Sequence, residues 1–281
     1  MSRNPYHTDT EEQVPTLRNS VLVFMDILGY SAMIRESEEL GTQQEVLFRL
    51  YTTLSKEREW LEERTVSQQQ LREFIKKDNY ALKAFTDNIV LGWPIRDDAE
   101  CELGSAFSKL AFFQLQMVTS GFFIRGAISV GNAYVDEIAV FGKALTEAHT
   151  GELSLARDPR IILTTSAMNA AREHLTHYSE PRHAPHTRDI LQDSDGQWFL
   201  NYLDCILIAE NNQGPFYDEF LKHKTIVEQM LQQHRGNPSI WSKYAWVAGY
   251  HNYFSDLHSE HFNDDYKINV ELFRASPTLI V

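Results

Sequence analysis

The chain has 281 residues, enough to bury a substantial core without a disulfide or metal staple. Its formal charge of -13 argues against broad binding to a nucleic-acid backbone, though not against a nucleotide whose triphosphate is neutralised locally by a metal and one or two basic side chains. Two cysteines, Cys101 and Cys205, make no disulfide framework and suit a reducing cytoplasm, and no run approaches the ~20 apolar residues of a membrane span.

Residues 1–18 are polar, lack an apolar signal segment and read as a mobile or loosely attached arm. The run VLVFMD predicts a central strand over 22–26 that closes on Asp26. Helices are expected over 27–40, ending near Gly41, and over 42–63, where Val46, Leu47, Leu50, Leu54 and Leu61 form an apolar stripe. The polar stretch 66–79 fits either a short helix through 69–75 or a partly ordered connection. Residues 80–85 and 88–93 read as a hairpin around Thr86-Asp87-Asn88, with Pro94 stopping the second strand.

A long helix over 99–119 comes next. Strands over 122–130 and 133–140 are expected to turn around Gly131-Asn132, and a helix follows Gly142 through Glu152. Then come a strand over 160–164, a helix over 166–174, a Pro-, His- and Asp-rich loop over 178–192 and a strand over 197–207. Helices over 214–234 and 238–257 finish the chain. His174, His177, His183 and His186 are irregularly spaced, resemble no closed zinc site and read as loop chemistry. The order predicts an α+β sandwich with helices over a mixed or mostly antiparallel sheet.

Asp26 and Asp87 each stand where a strand ends or turns. A carboxylate there costs folding energy unless it is solvated, paired or bound to a cation. Two of them, with Arg125 in the otherwise apolar strand FFIRGAI, suggest a divalent metal site that handles phosphate. The plainer alternatives are a helix N-cap for Asp26, a turn residue for Asp87 and an edge-strand pairing of Arg125 with Asp136. Gly126 next to Arg125 permits close backbone approach.

FMDILGYSAMI resembles the first metal motif of the class III nucleotidyl cyclases. KAFTDNIVLGW resembles their second metal hairpin, with Thr86 where a glycine is usual, and FFIRGAISVGNAYVDEIAVFGKALTEAH resembles the later hairpin and helix. RGAISVG, VFGKALTEAHTGE and SKYAWVAGYHNYF look nearest to the pyrimidine cyclases of the bacterial Pycsar antiphage system. The resemblance implies a cyclase catalytic domain over 19–207, with 208–281 as a helical extension packed on it. It implies a cytoplasmic homodimer with sites at the interface, which converts UTP, or CTP, to a 3′,5′-cyclic monophosphate and pyrophosphate. That product would activate a separate effector.

Under the same resemblance, Asp26, Asp87 and the main-chain carbonyl of Ile27 hold two Mn²⁺ or Mg²⁺ ions, and Arg125 and Lys143 meet the triphosphate. Lys83 reads the base, with a solvent-facing strand lysine as the alternative. Tyr51 narrows the pocket against purines, unless it is a core tyrosine. The chain departs from the family at Thr146 and Thr150, where an asparagine and an arginine are usual, and at Ala139, where adenine readers carry an aspartate. Arg125, Lys143 or Arg157 would have to supply the missing charge. The competing readings are a degenerate cyclase-like nucleotide sensor or scaffold and, against the acidic charge, a palm-like polymerase.

Overall fold

A computed structural model describes residues 4–8, 10, 12–63, 80–85, 87–96, 98–180, 183–184, 186–207 and 214–274. The stretch 66–79 and Thr86 lie outside these residues. The chain divides into two compact units, one of 1–156 and 160–202, the other of 157–159 and 203–281.

The first unit is an α+β fold on a mixed, mostly antiparallel sheet. In chain order it comprises β1 (Arg18–Ile27), α1 (Tyr30–Leu40), α2 (Gln43–Glu63), β2 (Ala81–Phe85), β3 (Asn88–Pro94), α3 (Glu100–Thr119), β4 (Ile124–Val135) and β5 (Val140–Phe141). There follow α4 (Lys143–Ser154), β6 (Ile161–Leu163), α5 (Thr165–Leu175), the short α6 (His186–Asp189), β7 (Ile190–Gln192) and β8 (Trp198–Leu200). The strand order is β2-β3-β1-β4-β6-β8-β7, with β5 paired to β4, and β4–β6 is the parallel joint among antiparallel neighbours. The first four strands in this order make the split βαβ arrangement, with β1 between β3 and β4.

Both faces of β1 are covered, which is why its sequence reads as an unbroken apolar run rather than an alternating one. Leu22 and Phe24 share a cluster with Ala144 and Ala148 of α4. Small residues let α4 lie close on the sheet: a Cβ added at Gly151 would stand 3.0 Å from both Ala127 Cβ and Thr164 Cγ2. Asp26 follows Phe24 at the strand period of two, so it points to the α4 face as well.

Several expectations need correction. The 122–130 and 133–140 hairpin is one continuous strand, β4, because β1 pairs with it along its whole length, from Arg18↔Ala133 to Ile27↔Ile124. The turn comes later, at Asp136, whose Oδ1 accepts the N–H groups of Ile138 and Ala139 at 2.7 and 2.6 Å. Within the arm, Tyr6 is buried against Leu22, Val90 and Tyr134, and Asn4 donates to the Val135 carbonyl at 3.0 Å. The first helix begins at Tyr30, after Gly29 at φ 72°, because β1 continues through Ile27. The 197–207 strand stops at Leu200 and gives way to a 3₁₀ turn over Tyr202–Leu207. The 178–192 loop contains α6 and β7.

The second unit is built on α7 (Tyr217–Gln233) and α8 (Pro238–Leu257). Asn237 caps α8 by accepting from Ile240 N at 3.3 Å, and Pro238 opens the helix where its missing N–H costs nothing. Between the two helices His223 and His251 stack, with their Nδ1 atoms 3.0 Å apart. Because the His251 Nε2–H donates to the Tyr266 carbonyl at 2.9 Å, His251 Nδ1 is the acceptor and His223 Nδ1–H the donor. Among the described residues no helix is long and apolar enough to cross a membrane.

Candidate functional site

Strand register lays out one end of the sheet. Asp26 stands opposite Asn88 of β3 and Arg125 of β4, and Phe85 of β2 stands opposite Asn88. Asp87 occupies the tight turn before Asn88, and its carbonyl accepts from Ile27 N at 3.1 Å, which ties the turn to the end of β1. Leu28 N then donates to the Phe123 carbonyl at 2.8 Å, so the chain leaves the sheet at a fixed point. Asp87 Oδ1 accepts from Asn88 Nδ2 at 3.0 Å.

Arg125 is the hub. Its Nη2 lies 3.2 Å and its Nε 3.3 Å from Asp26 Oδ2. Nε also lies 2.9 Å from Oε1 of Glu152, an ion pair without the alignment of a hydrogen bond. Gly126 makes this approach possible: a Cβ there would meet the Phe24 carbonyl at 2.5 Å and Met25 Cγ at 2.9 Å. Arg125 therefore pairs with Asp26 and Glu152 and not with Asp136, which accepts from the Tyr134 hydroxyl and the turn amides instead.

Glu152 is the residue that sequence reasoning missed. It sits on α4 with 5% of its side chain exposed. Burial raises the carboxyls of both Asp26 and Glu152 above the ordinary carboxylate range. Arg125 opposes that shift in both, and Asp87 adds to it. The site thus has more negative charge than Arg125 neutralises, all of it on hard oxygen donors. That chemistry fits a divalent cation of the Mg²⁺ or Mn²⁺ class. A signal was present in the sequence: Leu145, Ala148 and Glu152 share a helix face at three- and four-residue spacing, so an acid stands on an apolar side.

Lys83 lies on the same sheet face, one row in from Asp26, opposite Val90. Its Nζ donates to the Ile138 carbonyl at 2.6 Å, which brings it beside the turn that carries Ala139. Lys143 and Tyr51, in the same unit, do not join this group. At 100° per residue, Lys143, Thr146, Glu147 and Thr150 lie on the flank of α4 opposite Glu152. They line a cleft of about 450 Å³ with Ser154 and Thr165. Tyr51 is 68% exposed on α2, near the exposed Leu47 and Phe48, and is not a core tyrosine. Arg157 is 83% exposed and stands 3.8 Å from Asp158.

Among the described residues, one group of three metal-type donors gathers after β3. Asp98, Glu100 and His177 place ligand atoms within 4.8 Å of one another, with the donors for one ion rather than two. Glu100 also accepts from the Tyr178 hydroxyl. The histidines are not merely loop residues: His174 and His186 are buried, with ring centroids 5.9 Å apart, and His174 Nε2 lies 2.6 Å from the Asp98 carbonyl. Their sequence spacing hides this, because α5 and α6 fold the segment back beside the start of α3.

No family model and no curated protein matches the chain. Among solved structures, a class III adenylyl cyclase-like ATP-binding protein from Pseudomonas aeruginosa is similar at a TM-score of 0.39 and 12% sequence identity. The likeness covers 60% of this chain and 39% of that one, so this chain spans well under half of that structure's length. A similarity of this size assigns neither a site nor an activity.

Proposed function

We propose that this chain is a metal-dependent nucleotidyl cyclase-like enzyme acting on a nucleoside triphosphate. One observation carries the reading: Asp26, Asp87 and Arg125 meet at one sheet end, on the face that also presents Lys83. In this reading Asp26 and Asp87, with the Ile27 carbonyl, hold the cation, which lowers the cost of charge on the attacking and leaving oxygens. Arg125 offers a planar fork that matches phosphate oxygens. Lys83 donates to a base carbonyl after giving up the Ile138 carbonyl, and Ala139 beside it offers no acidic side chain to an adenine amino group.

The substrate is accordingly a pyrimidine nucleotide, UTP before CTP, and the product a 3′,5′-cyclic monophosphate that signals to a separate effector. Thr146 and Thr150 face away from the Asp26 group, so a homodimer with composite sites completes the proposal. Incubation with ATP, GTP, CTP and UTP in turn, each with Mn²⁺, and identification of products by mass tests it. Cyclic UMP as main product supports the reading, and cyclic AMP or cyclic GMP as main product overturns the base assignment.

A nucleotide sensor is the second reading, favoured by the Arg125–Asp26 ion pair and by the threonines on α4. Saturable UTP binding with no product from any of the four nucleotides would establish it in place of the enzyme.

A further inference from the structure

We propose that Arg125 is the built-in counter-ion of the metal-free site, and that Glu152 is the positioning residue that draws it off Asp26 when a divalent cation arrives. The inference rests on the metal-binding role proposed for Asp26.

Three observations carry it. Arg125 reaches both carboxylates from one place, 3.2 Å from Asp26 Oδ2 and 2.9 Å from Glu152 Oε1. Glu152 is buried on a helix face otherwise made of apolar and small residues, where a carboxylate without a function costs stability. Glu152 Oε1 is also inaccessible to solvent and has no aligned hydrogen-bond donor, so its capacity for Arg125 is only partly used.

A cation at Asp26 must compete with the guanidinium already beside the same oxygen. If Arg125 had no second acceptor, its displacement would strand a half-buried positive charge and oppose metal binding. With Glu152 in reach, the guanidinium trades a shared pairing for a full one on α4 without leaving the site. The same movement leaves the rest of its fork free for an anionic group brought in with the metal. Glu152 acts here through Arg125 and touches neither metal nor nucleotide.

The test is a double-mutant cycle read on Mn²⁺ alone, without nucleotide, by the electron paramagnetic resonance of free Mn²⁺ in the presence of full-length protein. Asp26→Asn is the reference that subtracts binding at Asp98, Glu100 and His177. Glu152→Gln should weaken the Asp26-dependent binding by at least about threefold, because Arg125 then has Asp26 as its one charged partner. Arg125→Met should tighten it by a similar factor. In the Arg125→Met background, adding Glu152→Gln should change the Kd by less than about twofold.

If Glu152→Gln weakens binding equally with and without Arg125, Glu152 is itself a ligand and the proposal is overturned. An unchanged Kd in folded Glu152→Gln overturns it as well, and that arm stands even if Arg125→Met does not fold. Should wild type and Asp26→Asn bind Mn²⁺ alike, it is the metal role of Asp26 that fails, a result distinct from either.

Discussion

Burial and the neighbouring Asp87 both disfavour the charged form of Asp26, while Arg125 works the other way. Since the folded-state pKa is raised, the ionised carboxylate costs stability as pH climbs above the unfolded value. Asp26→Asn should therefore abolish the proposed metal-dependent turnover yet leave Tm at pH 7.5 unchanged or higher, as expected where function is held against stability. A fall in Tm of more than about 2 °C, roughly 1 kcal/mol for a chain of this size, would show that the ion pair outweighs the burial. Gly126 is a constraint of another kind. Gly126→Ala puts a methyl group against the Phe24 carbonyl, and since backbone cannot rotate away, β4 must shift relative to β1. We expect a loss of about 1–3 kcal/mol in urea unfolding. Metal binding should weaken alongside, because Arg125 and Asp26 no longer hold their register.

At the scale of elements, β4 does most to organise the site, because it pairs with β1, β5 and β6 at once. Its far end is fixed by Asp136, which accepts from the Tyr134 hydroxyl and from two turn amides. Asp136→Ala should cost about 2–4 kcal/mol, the range for losing charge-assisted bonds at a mostly buried position. The Ile138 carbonyl that Lys83 uses would lose its fixed place too, so the proposed nucleotide turnover should fall together with thermal stability. A stable Asp136→Ala protein would show that the turn holds without its side chain. The apolar run of β1, the β2–β3 turn and the long α3 were all legible in the sequence, because each announces itself within a few residues. The Gly131-Asn132 signal misled for the opposite reason: a local turn preference lost to pairing with a strand about a hundred positions away. Arg125 was legible as an oddity in an apolar strand, and Glu152 as an acid on an apolar helix face, but their pairing was not. That contact depends on where α4 lies on the sheet, which the three small residues Ala144, Ala148 and Gly151 decide.

For the molecule as a whole, the two units should respond differently to acid. In the second unit burial lowers the pKa of His251 to about 4 and holds His223 well below its ordinary value. The unfolded chain takes up protons below about pH 6.5 and the folded pair does not, so stability is full above that value and declines as pH falls toward 4. Melting curves of the full chain from pH 7 to 4.5 should show this loss, and His223→Leu should flatten it. An equal slope in the variant would assign the acid sensitivity to other groups. The register between β1 and β4 has a further consequence, in the time domain of synthesis. Asp26 and Arg125 are 99 positions apart, so at ~5–20 residues per second the first strand leaves the ribosome about 5–20 s before its partner. Through that interval β3 can cover only one edge of the VLVF segment. The nascent chain carries an open, strongly apolar edge that invites other chains, and chaperone demand should peak before residue 124 emerges and drop once β4 docks.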